Sequence, residues 1–166
     1  TGVSTDSLGR PLREGDRVTG VQTGAGPISA GVVLSAVGGR VTQLAAMADV
    51  RLPIRTHPLQ ALVTNAYAQG LGPIVSDAEL LCYVSQTARG QMLMGAEFDS
   101  QPSYSMASSF EFLQSVSAKV THILPFLRDL RVLRQWTGIC DISPDYSPIM
   151  GPTGVDGLLV TTGWGT

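Results

Sequence analysis

Polar and apolar residues alternate along 17–22 (Arg-Val-Thr-Gly-Val-Gln), the period of a strand with one buried face; Thr23-Gly-Ala-Gly26 then turns the chain, and 28–35 returns as an apolar strand. This pattern predicts a small antiparallel meander feeding a buried strand over 31–39. A short helix is predicted over 42–48, with Leu44, Ala45 and Ala48 on one side. Three further strands are predicted over 57–64, 80–86 and 91–95. The last two are joined by the turn Thr87-Ala-Arg-Gly90, with Gly90 at positive φ. Between the first two, 66–77 carries Gly70, Gly72 and Pro73 and reads as a surface loop.

The strongest helical period runs over 108–124. Leu113, Val116, Val120, Ile123 and Leu124 share one face, Ser108 and Glu111 fit a capping box, and Pro125 closes the end. From 130 onward the pattern gives a strand, a Pro144-Asp145 turn, a second short strand, a Gly-rich hairpin and a third strand that stops at Gly163-Trp-Gly-Thr166. Runs of strands around two helices favour an α+β fold with a mostly antiparallel sheet backed by helices over a parallel βαβ array. A chain that stops inside a glycine motif is expected to be an incomplete functional unit.

Composition narrows the function classes. The chain has 166 residues, 43% of them hydrophobic, enough for a proper core. Only 14% are charged, against roughly 25% in an average soluble domain, so part of the surface is expected to be covered by other protein or a large ligand. The net charge is -2, and the scattered Lys and Arg form no basic stripe for a nucleic acid. No apolar run is long enough to span a membrane, and no signal peptide is visible. Cys82 and Cys140 fall on separate predicted strands and read as a reduced pair in a cytoplasmic protein, although spacing alone leaves a disulfide open.

Candidate chemistry is sparse. Thr23 to Ser29 contains Gly-Ala-Gly, but Pro27 and a strand follow where a phosphate-cradling turn needs a helix. His57 precedes a proline at a strand start and reads as structural. His122, near a helix C-terminus, has no metal ligand at close spacing. No serine has glycines two residues before and two after it, so there is no nucleophile elbow. What remains are two glycine-rich strand ends, Gly38-Gly39 and Gly163-Trp164-Gly165, where a missing side chain suits either a tight turn or the close approach of a cofactor.

An ordered set of segments changes this balance. It comprises Ala36-Val-Gly-Gly39 with Val41-Thr-Gln-Leu-Ala-Ala-Met47, Leu52-Pro53, His57-Pro-Leu-Gln-Ala-Leu-Val63, Tyr83-Val-Ser-Gln86, Gly90 with Met94-Gly95, Leu133-Arg-Gln-Trp136-Thr-Gly138, Asp141 with Pro144-Asp145, Ser147-Pro-Ile149 and Gly163-Trp-Gly-Thr166. Over nearly its whole length the chain resembles the β subunits of heterotetrameric sarcosine oxidases, within the D-amino-acid-oxidase-like group of flavoenzymes.

The resemblance implies a discontinuous FAD-binding domain and a substrate domain with a large antiparallel sheet. Residues 1–45 would be part of the first, 46–140 the second, and 141–166 the return to the first. It also implies oxidation of sarcosine or a related secondary amine by hydride transfer to FAD. Electrons would then pass to FMN at an interface with other sarcosine oxidase subunits and on to oxygen, giving peroxide. Gly163, Gly165 and Thr166 would approach FAD with backbone amides, beside Trp164, and Gly38 and Gly39 would approach its nucleotide portion. Arg134 would lie near a flavin or form an ion pair. Tyr83 and Trp136 would line the substrate cavity or pack in the core.

Three features of the family are missing from the chain: the amino-terminal dinucleotide fingerprint, the His that attaches FMN, and the Gly-Gly-Phe-Lys continuation. The segment is therefore expected to be catalytically incomplete by itself, and no catalytic residue is assigned. Two other functions fit the same residues: a non-catalytic subunit-interaction module on this fold, and a relative that oxidises glycine, dimethylglycine or an opine. An acyl-transfer enzyme would need a nucleophile beside a base, which the sequence does not offer.

Overall fold

A computed structural model describes residues 9–165. Among them the chain is α+β, with mostly antiparallel sheets and few helices, and it divides into two compact units. One unit holds the chain up to His57, Gln101–Tyr104 and Ile139 onward; the other holds Pro58–Ser100 and Ser105–Gly138.

The first unit begins with a meander of β1 (Arg10–Glu14), β2 (Arg17–Thr23) and β3 (Gly26–Ser29), antiparallel in the order β1-β2-β3; β2 and the turn after it were expected, and β1 was not. The returning strand is not one piece. The chain leaves β3 after Ser29 and forms only a three-residue β4 (Val33–Ser35). Ile28, Val32 and Leu34 are each more than half exposed, so the expectation of a continuous buried strand over 31–39 is corrected. The run is apolar on both faces, and only the side bearing Val33 and Ser35 turns inward.

A single 3-10 turn, Gly38–Arg40, leads into α1 (Val41–Ala46), which buries Val41, Leu44 and Ala45. At the other end of the sequence come β10 (Ile149–Pro152) and β11 (Leu158–Thr162). They form a hairpin whose second strand pairs β4 in parallel, Leu158 opposite Val33 and Val160 opposite Ser35. Among the described residues this parallel pair, with the isolated parallel bridge between Arg17 and Asp156, departs from a mostly antiparallel pattern. Apolar packing comes from Val18, Ala48 and Leu158 in one cluster and Val41, Ile54 and Val160 in another.

The second unit is a five-stranded sheet in the order β6-β7-β8-β5-β9. Its strands are β5 (Arg55–Ala66), which starts in the first unit, β6 (Val75–Asp77), β7 (Cys82–Gln86), β8 (Gln91–Ala96) and β9 (Val132–Ile142), which ends in the first unit. The predicted loop over 66–77 holds except at its end, where β6 pairs with β7; three residues between turns are too few to leave an alternation to read. Gly90 stands at φ 83 in the β7–β8 turn as expected. Leu81 takes φ 52 and is exposed, so the strand begins at Cys82 rather than Leu80.

Helix α2 (Phe110–Ile123) covers one face of this sheet. Phe112, Val116 and Val120 pack on Leu62, Cys82, Val84, Met92 and Met94. The cap falls one residue later than predicted: Ser109 Oγ, not Ser108, accepts the Phe112 amide at 3.2 Å. Ser108 instead meets Thr137 Oγ1 at 3.0 Å. The choice is tertiary, because Gln60 takes the Ser109 amide and thereby seats the start of the helix.

Candidate functional site

In the first unit, β4 and β11 run parallel, so their carboxyl ends lie at one edge of the sheet. That edge is where ligands sit on open sheets with parallel strands. β4 runs on through Ala36 and Val37 to Gly38, and β11 to Gly163, Trp164 and Gly165. Gly38, Gly163 and Gly165 have φ of 53, 72 and 80, conformations that favour glycine. These turns are the candidate cofactor edge.

The glycines there are not equivalent. A Cβ on Gly39 would stand 2.8 Å from Ile139 O and 2.9 Å from Ile139 Cγ1, so the space that this residue opens is already filled by β9. The Gly39 carbonyl also accepts from Thr56 Oγ1 at 2.7 Å. Close strand packing therefore accounts for the absence of a side chain at Gly39. Gly163 is similarly enclosed, with Ser143 Cβ and Ser147 O each 3.3 Å from the place of a Cβ. Its amide, expected to approach a cofactor, donates to Asp141 Oδ2 at 2.6 Å. A Cβ at Gly165 would meet nothing within 4 Å. Trp164 is 63% exposed and its indole N–H donates to Thr161 Oγ1 at 2.9 Å. Thr166 lies outside the described residues.

The residue that organises this edge had no role assigned from sequence. Asp141, near the end of β9, is buried; its Oδ2 accepts from Thr162 Oγ1 at 2.5 Å as well as from Gly163. Its Oδ1 lies 3.8 Å from the place of a Cβ on Gly38. A carboxylate at a buried strand position was the available signal, since Asp is rarely buried unless partnered. A second polar group there is Ser35 Oγ at the end of β4, buried and without a hydrogen-bond partner among the described residues. The open turns at Gly38 and Gly165, this hydroxyl and the carboxylate beside Gly38 all fit an edge that receives a polar cofactor.

The other sequence candidates lie in the second unit. Gln135 donates to Gln60 Oε1 and Ser109 O, and Thr137 meets Ser108, so both point toward α2. By strand alternation Arg134, Trp136 and Gly138 point to the opposite face. Tyr83 lies on that face too, because its neighbours Cys82 and Val84 are in the helix-side core. Leu59, Ala61, Val63 and Leu93, all half-buried, complete it. Trp136 is 41% exposed, Arg134 is exposed with no hydrogen-bond or ion-pair partner among the described residues, and Gly138 faces open space.

The structure thus places Arg134, Trp136 and Tyr83 on one sheet face. Tyr83 starts from β7, three strands from β9, about 14 Å between strand axes at ordinary spacing, and its ring leans over Gly95 of β8, toward β9. A cleft of ≈ 130 Å³ lined by Leu62, Met94, Val120 and Leu127 opens on the helix side and belongs to α2 packing.

Tyr83 is held in place by a glycine. It pairs across the ladder with Gly95, and a Cβ on Gly95 would stand 2.6 Å from the ring Cζ and hydroxyl. Replacing Gly95 by alanine is expected to lift the ring off β8 at a cost of about 1–3 kcal/mol, the range for overfilling a packed site. Thermal melting together with tyrosine fluorescence checks this; an unchanged melt with unchanged fluorescence would contradict the packing described.

The two histidines and two cysteines add no reactive centre. His57 is buried, and its carbonyl accepts from Cys140 Sγ at 3.4 Å; His122 sits in the last turn of α2. Both thiols are free and buried. Burial pushes each thiol pKa up, with Asp77 adding to this at Cys82 and Asp141 at Cys140, so neither is a ready thiolate at neutral pH. No group of three or more His, Cys, Asp or Glu stands at metal-binding distance among the described residues. No helix there is long and apolar enough to cross a membrane.

A family model described as FAD dependent oxidoreductase matches residues 7–166. The chain is 37% identical to sarcosine oxidase subunit beta of an Arthrobacter species, over 93% of this chain and 38% of that protein. It is also 37% identical to the subunit of the same name from Rhodobacter capsulatus, over 92% of this chain and 37% of that protein. The crystal structure of L-proline dehydrogenase from P. horikoshii superimposes with a TM-score of 0.85 at 29% identity, covering 93% of this chain and 43% of that one. The chain therefore spans less than half the length of each of these relatives.

Proposed function

The chain belongs to the FAD dependent oxidoreductase family, and from that premise we propose that it is the part of a sarcosine-oxidising flavoenzyme β subunit that supplies one edge of the FAD site and the sheet of the substrate domain. The observation that carries this reading is the similarity to sarcosine oxidase β subunits along more than nine-tenths of the chain. The unit containing β4 and β11 is assigned to the flavin domain, and the five-stranded unit to the substrate domain. Activity is assigned to a whole β subunit, since this chain spans less than half the length of the sarcosine oxidase β subunits it matches.

The residues that would hold FAD are the open turns at Gly38 and Gly165, with Trp164 beside them. When bound, FAD supplies the two-electron acceptor for amine oxidation. Sarcosine loses a hydride from its methyl carbon and a proton from its nitrogen, and water then divides the resulting imine into glycine and formaldehyde. The chain's own contribution is positional. The face bearing Trp136, Leu59, Ala61 and Leu93 excludes water from an apolar methyl group, and the exposed guanidinium of Arg134 suits a carboxylate at the edge of that face. FMN would be held with a partner subunit, and the assembly would work in the cytoplasm.

The test is an absorbance spectrum of the intact gene product carrying this chain, taken anaerobically before and after sarcosine. The flavin band at roughly 450 nm, set by the cofactor itself, should bleach. A flavin that bleaches with glycine or a D-amino acid but not with sarcosine would replace the substrate assignment, and a protein without flavin would overturn the reading.

A further inference from the structure

The two carboxylate oxygens of Asp141 have different surroundings. Oδ2 accepts from Thr162 Oγ1 at 2.5 Å and from the Gly163 amide at 2.6 Å, tying β9 to the end of β11. Oδ1 has no hydrogen-bond partner among the described residues. It faces the Gly38 corner, where the missing side chain leaves it uncovered and a Cβ would stand 3.8 Å away. The residue is only 8% exposed and forms no ion pair among the described residues. Oδ1 is not among the fully enclosed unpartnered atoms, so it keeps access to solvent at this corner and can exchange water for a ligand donor. Ser35, buried at the end of the neighbouring parallel strand, is a second polar group on the same edge, and its hydroxyl has no hydrogen-bond partner among the described residues.

The geometry points to Asp141 Oδ1 as an acceptor for a hydroxyl of the ribityl chain of the flavin, a proposal that rests on the flavin-edge reading given above. The donor class follows from charge. A carboxylate next to the isoalloxazine ring would oppose the negative charge that the ring gains on reduction, whereas a polyol hydroxyl carries none and makes a charge-assisted hydrogen bond. Asp141 thus has two roles: one oxygen sets the turn at Gly163, and the other binds the cofactor at the open side of Gly38.

Flavin fragments separate these roles. FAD, riboflavin and lumiflavin are titrated by fluorescence quenching into the intact gene product stripped of flavin; lumiflavin keeps the ring and lacks the ribityl chain. Asp141→Asn should weaken FAD and riboflavin by about 10-fold or more, the usual scale for a hydrogen bond to a charged group, while lumiflavin changes by less than about two-fold. Gly38→Ala sets a methyl group 3.8 Å from Oδ1, in a turn whose φ of 53 strains an alanine, so it should give the same selective loss together with a lower melting temperature. An equal loss for all three flavins, or no loss for any, overturns the assignment of Oδ1 while leaving the flavin-edge reading in place. A wild-type protein that binds none of the three overturns that reading itself.

Discussion

Replacing Gly157 by alanine is expected to destabilise the protein by about 3 kcal/mol or more. Gly157 has φ 76 and opens β11 at the point where three strands meet. The neighbouring Asp156 carbonyl accepts the Val18 amide of β2 at 2.8 Å, and the Gly157 carbonyl accepts the Val33 amide of β4 at 2.8 Å. A Cβ here would overlap the Val18 carbonyl oxygen, a backbone atom that cannot swing aside. Left-handed backbone costs an alanine roughly 1–2 kcal/mol, and forcing the strands apart adds about 1–3 kcal/mol. A melting temperature lower by roughly 6–12 °C follows for a chain of this size. Hydrogen exchange should speed up at Val18 and Val33 and leave α2 protected, because the damage belongs to the first unit. A variant that melts within about 1 °C of the parent would show that β2 and β4 do not meet at this turn.

The second large effect is expected at Gln60, whose side chain is 2% exposed and bonded at both ends. Its carbonyl oxygen accepts the Ser109 amide at 2.9 Å and the Gln135 side-chain amide at 3.0 Å. Its own amide nitrogen donates to Ser109 Oγ at 3.0 Å and to the Asp99 carboxylate at 3.2 Å. One side chain therefore joins β5, β9, the segment after β8 and the first turn of α2. Gln60→Ala leaves a void and strips these buried donors of their acceptor, at a combined cost of about 3–4 kcal/mol. Gln60→Leu refills most of the void and restores none of the bonds. Urea unfolding of both variants separates the causes: leucine should recover less than about half of the loss, and a leucine variant within about 0.5 kcal/mol of the parent would assign the cost to the void alone.

Gln60 also shows where reading from sequence stops. It falls on the inward phase of β5, between apolar neighbours, and alternation alone gives a polar residue there no partner. Its partners lie 39 to 75 residues away, and they move the helix cap from Ser108 to Ser109. The meander, the β7–β8 hairpin, the body of α2 and the turn at Pro144-Asp145 depend on contacts close in sequence, and each was legible. Within that last turn the Ser147 amide donates to Asp145 and holds its carboxyl below the usual carboxylate range. β4 was misjudged because an apolar run reads as buried even when only one of its faces meets the core. The glycine motifs were legible as motifs, yet Gly39 and Gly163 are explained by packing against Ile139 and Ser143, a distinction that needs both sides of the contact.

Composition, strand and helix periods, turn chemistry and the ordered motifs of a flavoenzyme family were determined by the sequence alone, because each depends on residue types within a few positions or on a linear order. Tertiary structure decided which face of the five-stranded sheet carries Arg134 and Trp136, and that the strand of Tyr83 lies three strands from theirs. It also decided that Asp141 closes one glycine turn while keeping an oxygen free toward another. Those outcomes depend on strand order and register. A shift of one residue exchanges the two faces of a strand, and pairings between distant segments are chosen by the packing of the whole unit.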